Sequence, residues 1–354
     1  MDRSCEASPP RRRRLIVKLL FSGVSIALGL GLCEVLLRLV APQPPSWLDV
    51  YRRHPTLATY TLQTNVERLV DTGESRWTVK SDADGFRVSR NGSAGGATVL
   101  CLGDSFTFGY GVDHEQSFVG LLQSQAGSSA RWVNAAVPGF GPVQYVQVLQ
   151  YLLDRPLTPR YLLVGTFVGN DFHDCIWRKE AQVRDGVIGH RGDLRSFAKL
   201  NSHLYRLGSK CFHRFAPGRE DDFQFQEAMA IAKNWDESSL KSAAAAYREQ
   251  FQKLAALCRD HSIQAVVVVI PTRGAVEAAA RSAGTDSGPR LPADQASKIL
   301  ENLGLANLDL TPSLAALDAD QLYFRHDGHF TPLGHRVAAE AIARKLHDLN
   351  WSIP

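Results

Sequence analysis

The sequence predicts an α/β fold in which a five-stranded parallel sheet is covered by helices on both faces and preceded by one N-terminal transmembrane helix. Three observations predict it. Apolar runs at 98–102, 132–136, 161–168, 263–270 and 305–309 alternate with helical stretches, and strands joined by helical crossovers lie parallel and buried on both sides. The fourth run, Ile263-Gln-Ala-Val-Val-Val-Val-Ile270, is nearly all β-branched, as a fully buried central strand should be. Near the N-terminus, Leu19–Cys33 holds fifteen residues without a charge.

That apolar segment follows Arg11–Arg14 and Lys18 and is followed by Glu34 and Arg38. Fifteen helical residues rise only about 22 Å, short of a hydrocarbon core of about 30 Å, so the span runs on through Lys18 and Glu34. Lys18 snorkels toward the basic side, and Glu34 and Arg38 form an i,i+4 pair near the far interface. Residues 1–18 carry six basic and two acidic side chains, a balance equal to the +4 of the whole 354-residue chain. A basic flank before the first apolar run keeps the N-terminus cytoplasmic and places the rest on the exported side, periplasmic or extracellular. The remainder is neutral overall, so no nucleic-acid surface is implied. A cleaved signal peptide is the rival reading. Pro42 directly after Ala41, and Leu39 at the third position back, make a poor cleavage site, and Leu32 before Cys33 does not fit a lipoprotein signal. The expected layout is a basic cytoplasmic tail at 1–14, a signal anchor at 15–40, a stalk and partial cap at 41–96, and the α/β domain at 97–354 with an insertion at 172–236.

Within 41–96 there is little periodicity. Gly85-Phe86-Arg87 stands just before the first strand and is expected either to pack on the rim of the site or to form a plain turn. The first strand then runs into Gly103-Asp104-Ser105. In a parallel sheet the ligand crevice lies outside the carboxyl ends of the strands, so Ser105 is the candidate nucleophile. A serine hydroxyl needs a base, and the base needs an orienting group. Phe324-Arg-His-Asp-Gly-His329 offers Asp327 and His329 two residues apart. In an extended segment such residues share a face, leaving the imidazole Nε2 free for the serine. After the second strand comes Pro138-Gly139, where glycine lets backbone approach a ligand. After the third comes Gly169-Asn170-Asp171. The backbone N–H groups of Ser105 and Gly139 and the side-chain amide of Asn170 are three candidate donors to one oxyanion.

The ordered blocks Gly-Asp-Ser, Gly, Gly-x-Asn-Asp and Asp-x-His resemble the SGNH/GDSL hydrolase superfamily, over residues 98–346. The resemblance implies a three-layer flavodoxin-like fold, Ser105 as nucleophile, Gly139 and Asn170 in the oxyanion hole, and His329 as base oriented by Asp327. It implies no cofactor. Many members place the aspartate three residues before the histidine; the gap of two found here is that of membrane-anchored and polysaccharide-acetylating branches. Asp104 and Asp171 are expected to be structural, because a carboxylate beside the oxyanion donors opposes the charge that develops there. His326, His329 and His335 with Asp327 could instead ligate a catalytic metal, and His173 is either a substrate contact or a plain loop histidine.

Residues 237–261 are expected to form a long amphipathic helix. Trp177, Arg178, Phe197, Tyr205, Arg206, Phe212, Phe223, Phe225 and Trp235 of the insertion would shape the acyl or alcohol pocket. Thr272–Leu291, with Gly274, Gly284 and Gly288, would be a second lid. Cys5 and Cys33 fall in the tail and the anchor and Cys101 in the first strand, while Cys175 and Cys211 are a candidate disulfide in an oxidising compartment. The expected function is a membrane-anchored serine esterase, deacetylase or O-acetyltransferase acting on an ester of acylated glycan or lipid. A lysophospholipase-type lipid esterase, and a catalytically silent glycan-binding assembly protein, are the alternatives.

Overall fold

The computed structural model describes residues 11–43, 48–89, 97–155, 157–176, 181–190, 192–215, 237–281 and 291–351. Five strands form the central sheet: β1 (Ala97–Leu102), β2 (Ala130–Asn134), β3 (Tyr161–Phe167), β4 (Gln264–Ile270) and β5 (Ala306–Asp309). Their spatial order is β5-β4-β3-β1-β2, and each neighbouring pair is parallel. The chain passes from β1 out to β2 and then returns to the other side of β1, so the strand order reverses between β1 and β3. Ligand crevices open at such a switch point, outside the carboxyl ends of the strands.

Side-chain alternation along the strands divides the interior in two. Leu100, Leu102, Leu162, Val164, Val267 and Val269 face a cluster filled by Tyr145 and Leu149 of α4 (Pro142–Leu153), Phe251 of α8 (Glu237–Asp260) and Ile299 of α9 (Leu291–Asn302). Val99, Cys101, Leu163, Val266 and Val268 face the other, filled by Phe118 of α3 (Phe118–Ala126) and Ile342 of α10 (Pro332–Asp348). Buried on both faces, β4 needs no polar alternation, which is why its run of valines is unbroken.

The segment between anchor and sheet is more ordered than a stalk. Tyr51–Arg53 pairs antiparallel with Tyr60–Leu62, and Glu67–Asp71 with Arg76–Lys80. Val50, Leu62, Val70, Trp77 and Val79 are buried in the same cluster as α4 and α8. The two hairpins are therefore a packed cap on the α/β body. Gly85-Phe86-Arg87 ends this cap. The Arg87 guanidinium is buried, donating to the carbonyls of Phe108, of Gly109 at 2.6 Å and of Val112 at 2.6 Å, with the Phe108 ring 4.4 Å from its centre. Burial lowers its pKa to about 9, which leaves it charged at pH 7.

Helix α1 (Arg11–Val40) has 30 residues and a length of about 45 Å. Its segment Leu15–Val40 has mean hydropathy 2.1 and is unburied, long and apolar enough to cross a membrane. Glu34 and Arg38 pair as expected at 2.8 Å, but the carboxylate does more. It accepts from the backbone N–H groups of His203 and Leu204 and from the Ser202 hydroxyl, each at 2.9 Å. Those groups open α7 (His203–Phe215), which follows α6 (Leu194–Asn201). Arg38 donates to the Asn201 carbonyl at 2.5 Å.

The insertion is thus partly helical, and its described part holds the C-terminal end of α1. Arg206, expected at the pocket, is buried and donates to the carbonyls of Lys199, Leu200 and Gln43. Phe197 and Phe212 are exposed and Tyr205 is half-buried. Trp177, Arg178, Phe223, Phe225 and Trp235 lie outside the described residues, as do Gly284, Gly288 and Cys5. The start of the second lid is a helix, Arg273–Arg281, that includes Gly274. Cys175 is buried, Cys211 is exposed, and neither is in a disulfide with a described cysteine, so the expected bridge does not form. A buried cysteine on a short helix packs as a small apolar residue.

Replacing Arg87 by Met removes the charge and strands the Phe108 and Val112 carbonyls, while that of Gly109 keeps the Val112 N–H at 3.4 Å. Each buried acceptor left unpaired costs about 1–3 kcal/mol. Arg87→Met is expected to destabilise the protein by roughly 2–4 kcal/mol, read as a lowered thermal midpoint of the full chain in detergent micelles.

Candidate active site

Four loops meet at the carboxyl end of the sheet. The first follows β1. Gly103 has φ +156°, and a Cβ there would stand 2.1 Å from the Thr107 hydroxyl oxygen, so only glycine lets the strand turn into α2 (Ser105–Phe108). Asp104 caps that short helix by accepting from the Phe106 N–H at 2.9 Å. Ser105 is its first residue, and the Ser105 N–H has no acceptor among the described residues.

The second loop follows β2 and is laced to the first: the Val137 N–H donates to the Gly103 carbonyl at 3.2 Å, and the Ala135 N–H to that of Cys101 at 2.9 Å. Gly139 has φ +81°, and its missing side chain makes room for the Tyr60 hydroxyl, 2.5 Å from where a Cβ would be. Tyr60 in turn donates to the Pro138 carbonyl at 3.0 Å. The Gly139 N–H is also without an acceptor among the described residues.

The third loop follows β3, the neighbour of β1, and carries Asn170. Its side-chain amide makes no hydrogen bond to any described residue, although Oδ1 is buried. A buried amide left unpaired is unusual in a folded chain and points to a ligand as its partner. Asp171 begins α5 (Asp171–Ile176) and accepts from the Thr166 hydroxyl at 2.6 Å and the Tyr145 hydroxyl at 3.2 Å.

The fourth loop precedes α10. Tyr323 bridges to Phe330, and the Phe324 N–H donates to the His329 carbonyl at 2.8 Å, closing a tight loop around Gly328 at φ +81°. His329 Nε2 lies 2.7 Å from Ser105 Oγ. Its Nδ1 donates to Asp327 Oδ1, which also accepts from the His329 backbone N–H at 3.1 Å. The sequence suggested that spacing of two works through an extended segment. Here it works through a turn, in which the aspartate bonds the backbone two residues on and the same oxygen reaches the ring. The Phe106 and Tyr110 rings lie 4.9 and 4.8 Å from the imidazole, and His329 is 5% exposed.

Glu74, from the turn of the second cap hairpin, accepts from the N–H groups of His326 at 3.1 Å and Asp327 at 3.0 Å. It pins the loop from outside. Neither it nor Tyr60 stands out in a sequence segment without periodicity; of the cap's contacts only Gly-Phe-Arg left a signal. The metal reading finds no support in the geometry. His326 is exposed, and His335 is buried with its Nδ1 accepting from the Phe118 N–H at 3.3 Å. No group of three or more ligand-type side chains gathers among the described residues. His173 is half-buried on α5, with Nδ1 3.7 Å from the Asp174 carboxylate.

Burial raises the Asp104 carboxyl to about 7; His329 and the Phe106 N–H pull it down and Asp174 pushes it up. Burial and then Asp104 raise Asp171 well above the ordinary carboxylate range. Near neutral pH Asp104 carries a proton for much of the time, and Asp171 is pushed in the same direction.

A sequence-family model described as the SGNH hydrolase-like domain of acetyltransferase AlgX matches residues 230–352. No curated protein matches. Solved structures that resemble the chain include TesA, with 15% identity over 71% of this chain and 99% of that one at a TM-score of 0.43. Others are the psychrotrophic esterase EstA from Pseudoalteromonas sp., with 12% identity over 71% and 97% at 0.40, and the acetylxylan esterase Axe2 from Geobacillus stearothermophilus, with 13% over 72% and 95% at 0.40. Over residues 230–352 the chain is thus similar to an SGNH hydrolase-like domain.

The Asp104 shift has a consequence for stability. A carboxyl raised in the fold favours the protonated native state, so its contribution is complete below pH 3.8 and is lost as pH rises through about 7. Asp104→Asn keeps an acceptor for Phe106 and cannot ionise. Its thermal midpoint is expected to exceed that of the wild type by several degrees at pH 8, and the gap to close as pH falls toward 4, measured by thermal unfolding across pH.

Proposed function

We propose that this chain is a membrane-anchored serine esterase or O-acyltransferase acting through an acyl-enzyme on the exported side of a membrane. The observation that carries the reading is the 2.7 Å contact between His329 Nε2 and Ser105 Oγ, with Asp327 on the other ring nitrogen. Ser105 attacks the ester carbonyl while His329 takes its proton through Nε2, then returns it to the departing alcohol. Asp327 accepts from Nδ1–H, which fixes the tautomer and stabilises the imidazolium. The negative oxygen of the tetrahedral intermediate is received by the unpaired N–H groups of Ser105 and Gly139 and by the Asn170 amide. Glu74 acts through the loop it pins and is a positioning residue.

Water as the second acceptor completes hydrolysis; a sugar hydroxyl completes transfer. The similarity to the AlgX acetyltransferase domain favours an acetyl group. The apolar α1, with Arg11–Arg14 before it, supports the anchor and the exported topology. On this reading 1–14 is the cytoplasmic tail, 15–40 the anchor, 41–96 the cap and 97–354 the catalytic domain.

The full chain in detergent is expected to hydrolyse p-nitrophenyl acetate and to be labelled by a fluorophosphonate, and Ser105→Ala to lose both. No turnover and no labelling of the folded wild type would overturn the reading. Asn170→Ala removes one oxyanion donor and is expected to lower kcat by about 10²–10³ with the fluorophosphonate site intact. Glu74→Ala should lower kcat by roughly tenfold, while Glu74→Gln, which keeps an acceptor for both N–H groups, restores most of it.

A further inference from the structure

Between the cap and the α/β body lies a second cavity, of about 410 Å³, within the range of small-molecule sites. None of Ser105, Asn170 or His329 lines it. Arg52 and His54 enter it from the first cap hairpin, Arg131 from β2, Tyr151 from α4 and Arg155 from the turn just after that helix. Asp84 is the one acidic residue among its lining residues, and none of the three guanidiniums pairs with a described carboxylate within 4.0 Å. Arg52 is tied to the Leu62 carbonyl at 3.0 Å, and Arg155 stacks 4.0 Å from the centre of the Tyr151 ring. Both are thus held in place without being neutralised.

His54 adds a neutral donor. It is buried, with its ring edge-on to Tyr151 at 4.5 Å, and burial with the nearby Arg52 and Arg155 lowers its pKa. Nδ1 accepts from the N–H groups of Thr56 and Leu57 at 3.3 and 3.0 Å, so the ring proton sits on Nε2, which has no partner among the described residues. Phe86, Val137 and Phe140 supply an apolar wall.

Three unneutralised cations and one N–H donor in a chain whose exported part is neutral overall are not a general surface property. From this juxtaposition we propose that the cavity is an accessory binding site for a small organic anion: a carboxylate or phosphate carried on a body of sugar-ring size. The anionic oxygens meet the guanidiniums, which suit planar or tetrahedral oxyanions bidentately, and the ring lies against Phe86 and Phe140. Val137 and Phe140 flank Gly139, so the ligand sits on the same loop that bears one oxyanion donor.

The test is isothermal titration of the full chain in detergent, as Ser105→Ala, with glucuronate, glucose 6-phosphate, inorganic phosphate and neutral glucose. At least one charged sugar is expected to bind saturably, more weakly as salt is raised, with glucose silent. Glucuronate alone identifies the carboxylate source; glucose 6-phosphate with or without inorganic phosphate identifies the phosphate source. Arg131→Gln is expected to weaken binding by about tenfold, the worth of one charge-assisted hydrogen bond. Should it lower the thermal midpoint of the unliganded protein, Arg155→Gln, at an exposed position, carries the same comparison. No saturable binding of any charged probe, or wild-type affinity in the folded variant, overturns the proposal. Because binding is read without turnover, this outcome is separate from the fate of the esterase reading.

Discussion

The contact between Ser105 and His329 joins residues 224 apart in the chain, and the rest of the structure serves to hold two atoms at hydrogen-bond distance. The sheet alone does not do this. It brings the carboxyl ends of β1 and β3 side by side and so fixes where the serine and Asn170 stand, but His329 sits on a loop beyond the last strand. That loop is closed by its own hydrogen bonds, packed between the Phe106 and Tyr110 rings and anchored by the buried start of α10. A nucleophile and base misplaced by an ångström lose much of their effect, so this local rigidity is a functional constraint.

The cap is the second half of that constraint. Three of its polar contacts each reach a different loop of the site. Tyr60 donates to the loop of Gly139, Glu74 accepts from the loop of Asp327, and Arg87 donates to the turn that follows the nucleophile. All three bond to backbone, so they fix loop position and not side-chain chemistry. The same cap is continuous in sequence with α1. Glu34 of α1 is in turn bound by the start of α7. The apolar helix and the loops of the proposed site are therefore joined through a short path.

How much of this the sequence revealed follows from which signals are local. The five strands were legible because burial on both faces leaves unbroken apolar runs, and the nucleophile turn because Gly103 must adopt a backbone that a side chain forbids. Asp327 and His329 were legible as a pair, though through an extended segment and not the turn that forms. Tyr60 and Glu74 were not, because a hydroxyl or carboxylate that bonds distant backbone leaves no periodic trace. The insertion misled for a related reason. Aromatic and basic residues are also what holds such a segment together, and Arg206 does that by bonding the carbonyls of Lys199 and Leu200 and, just past the end of α1, that of Gln43.

Buried acids beneath the proposed oxyanion hole pose an electrostatic problem that their protonation resolves. Ionised, Asp104 and Asp171 would oppose the charge that grows on the carbonyl oxygen. Each is held by hydrogen bonds that need no full charge: Asp104 caps α2 through the Phe106 N–H, and Asp171 accepts from Thr166 and Tyr145. Burial and mutual repulsion then push both toward the neutral acid, in which form they brace the loops without opposing the oxyanion. Asp104 retains one further property. His329 pulls its carboxyl toward ionisation, so the moment at which the imidazole becomes positive is the moment at which a negative Asp104 costs least. The carboxyl beside the nucleophile is thus structural at rest and electrostatically matched to the imidazolium during proton transfer.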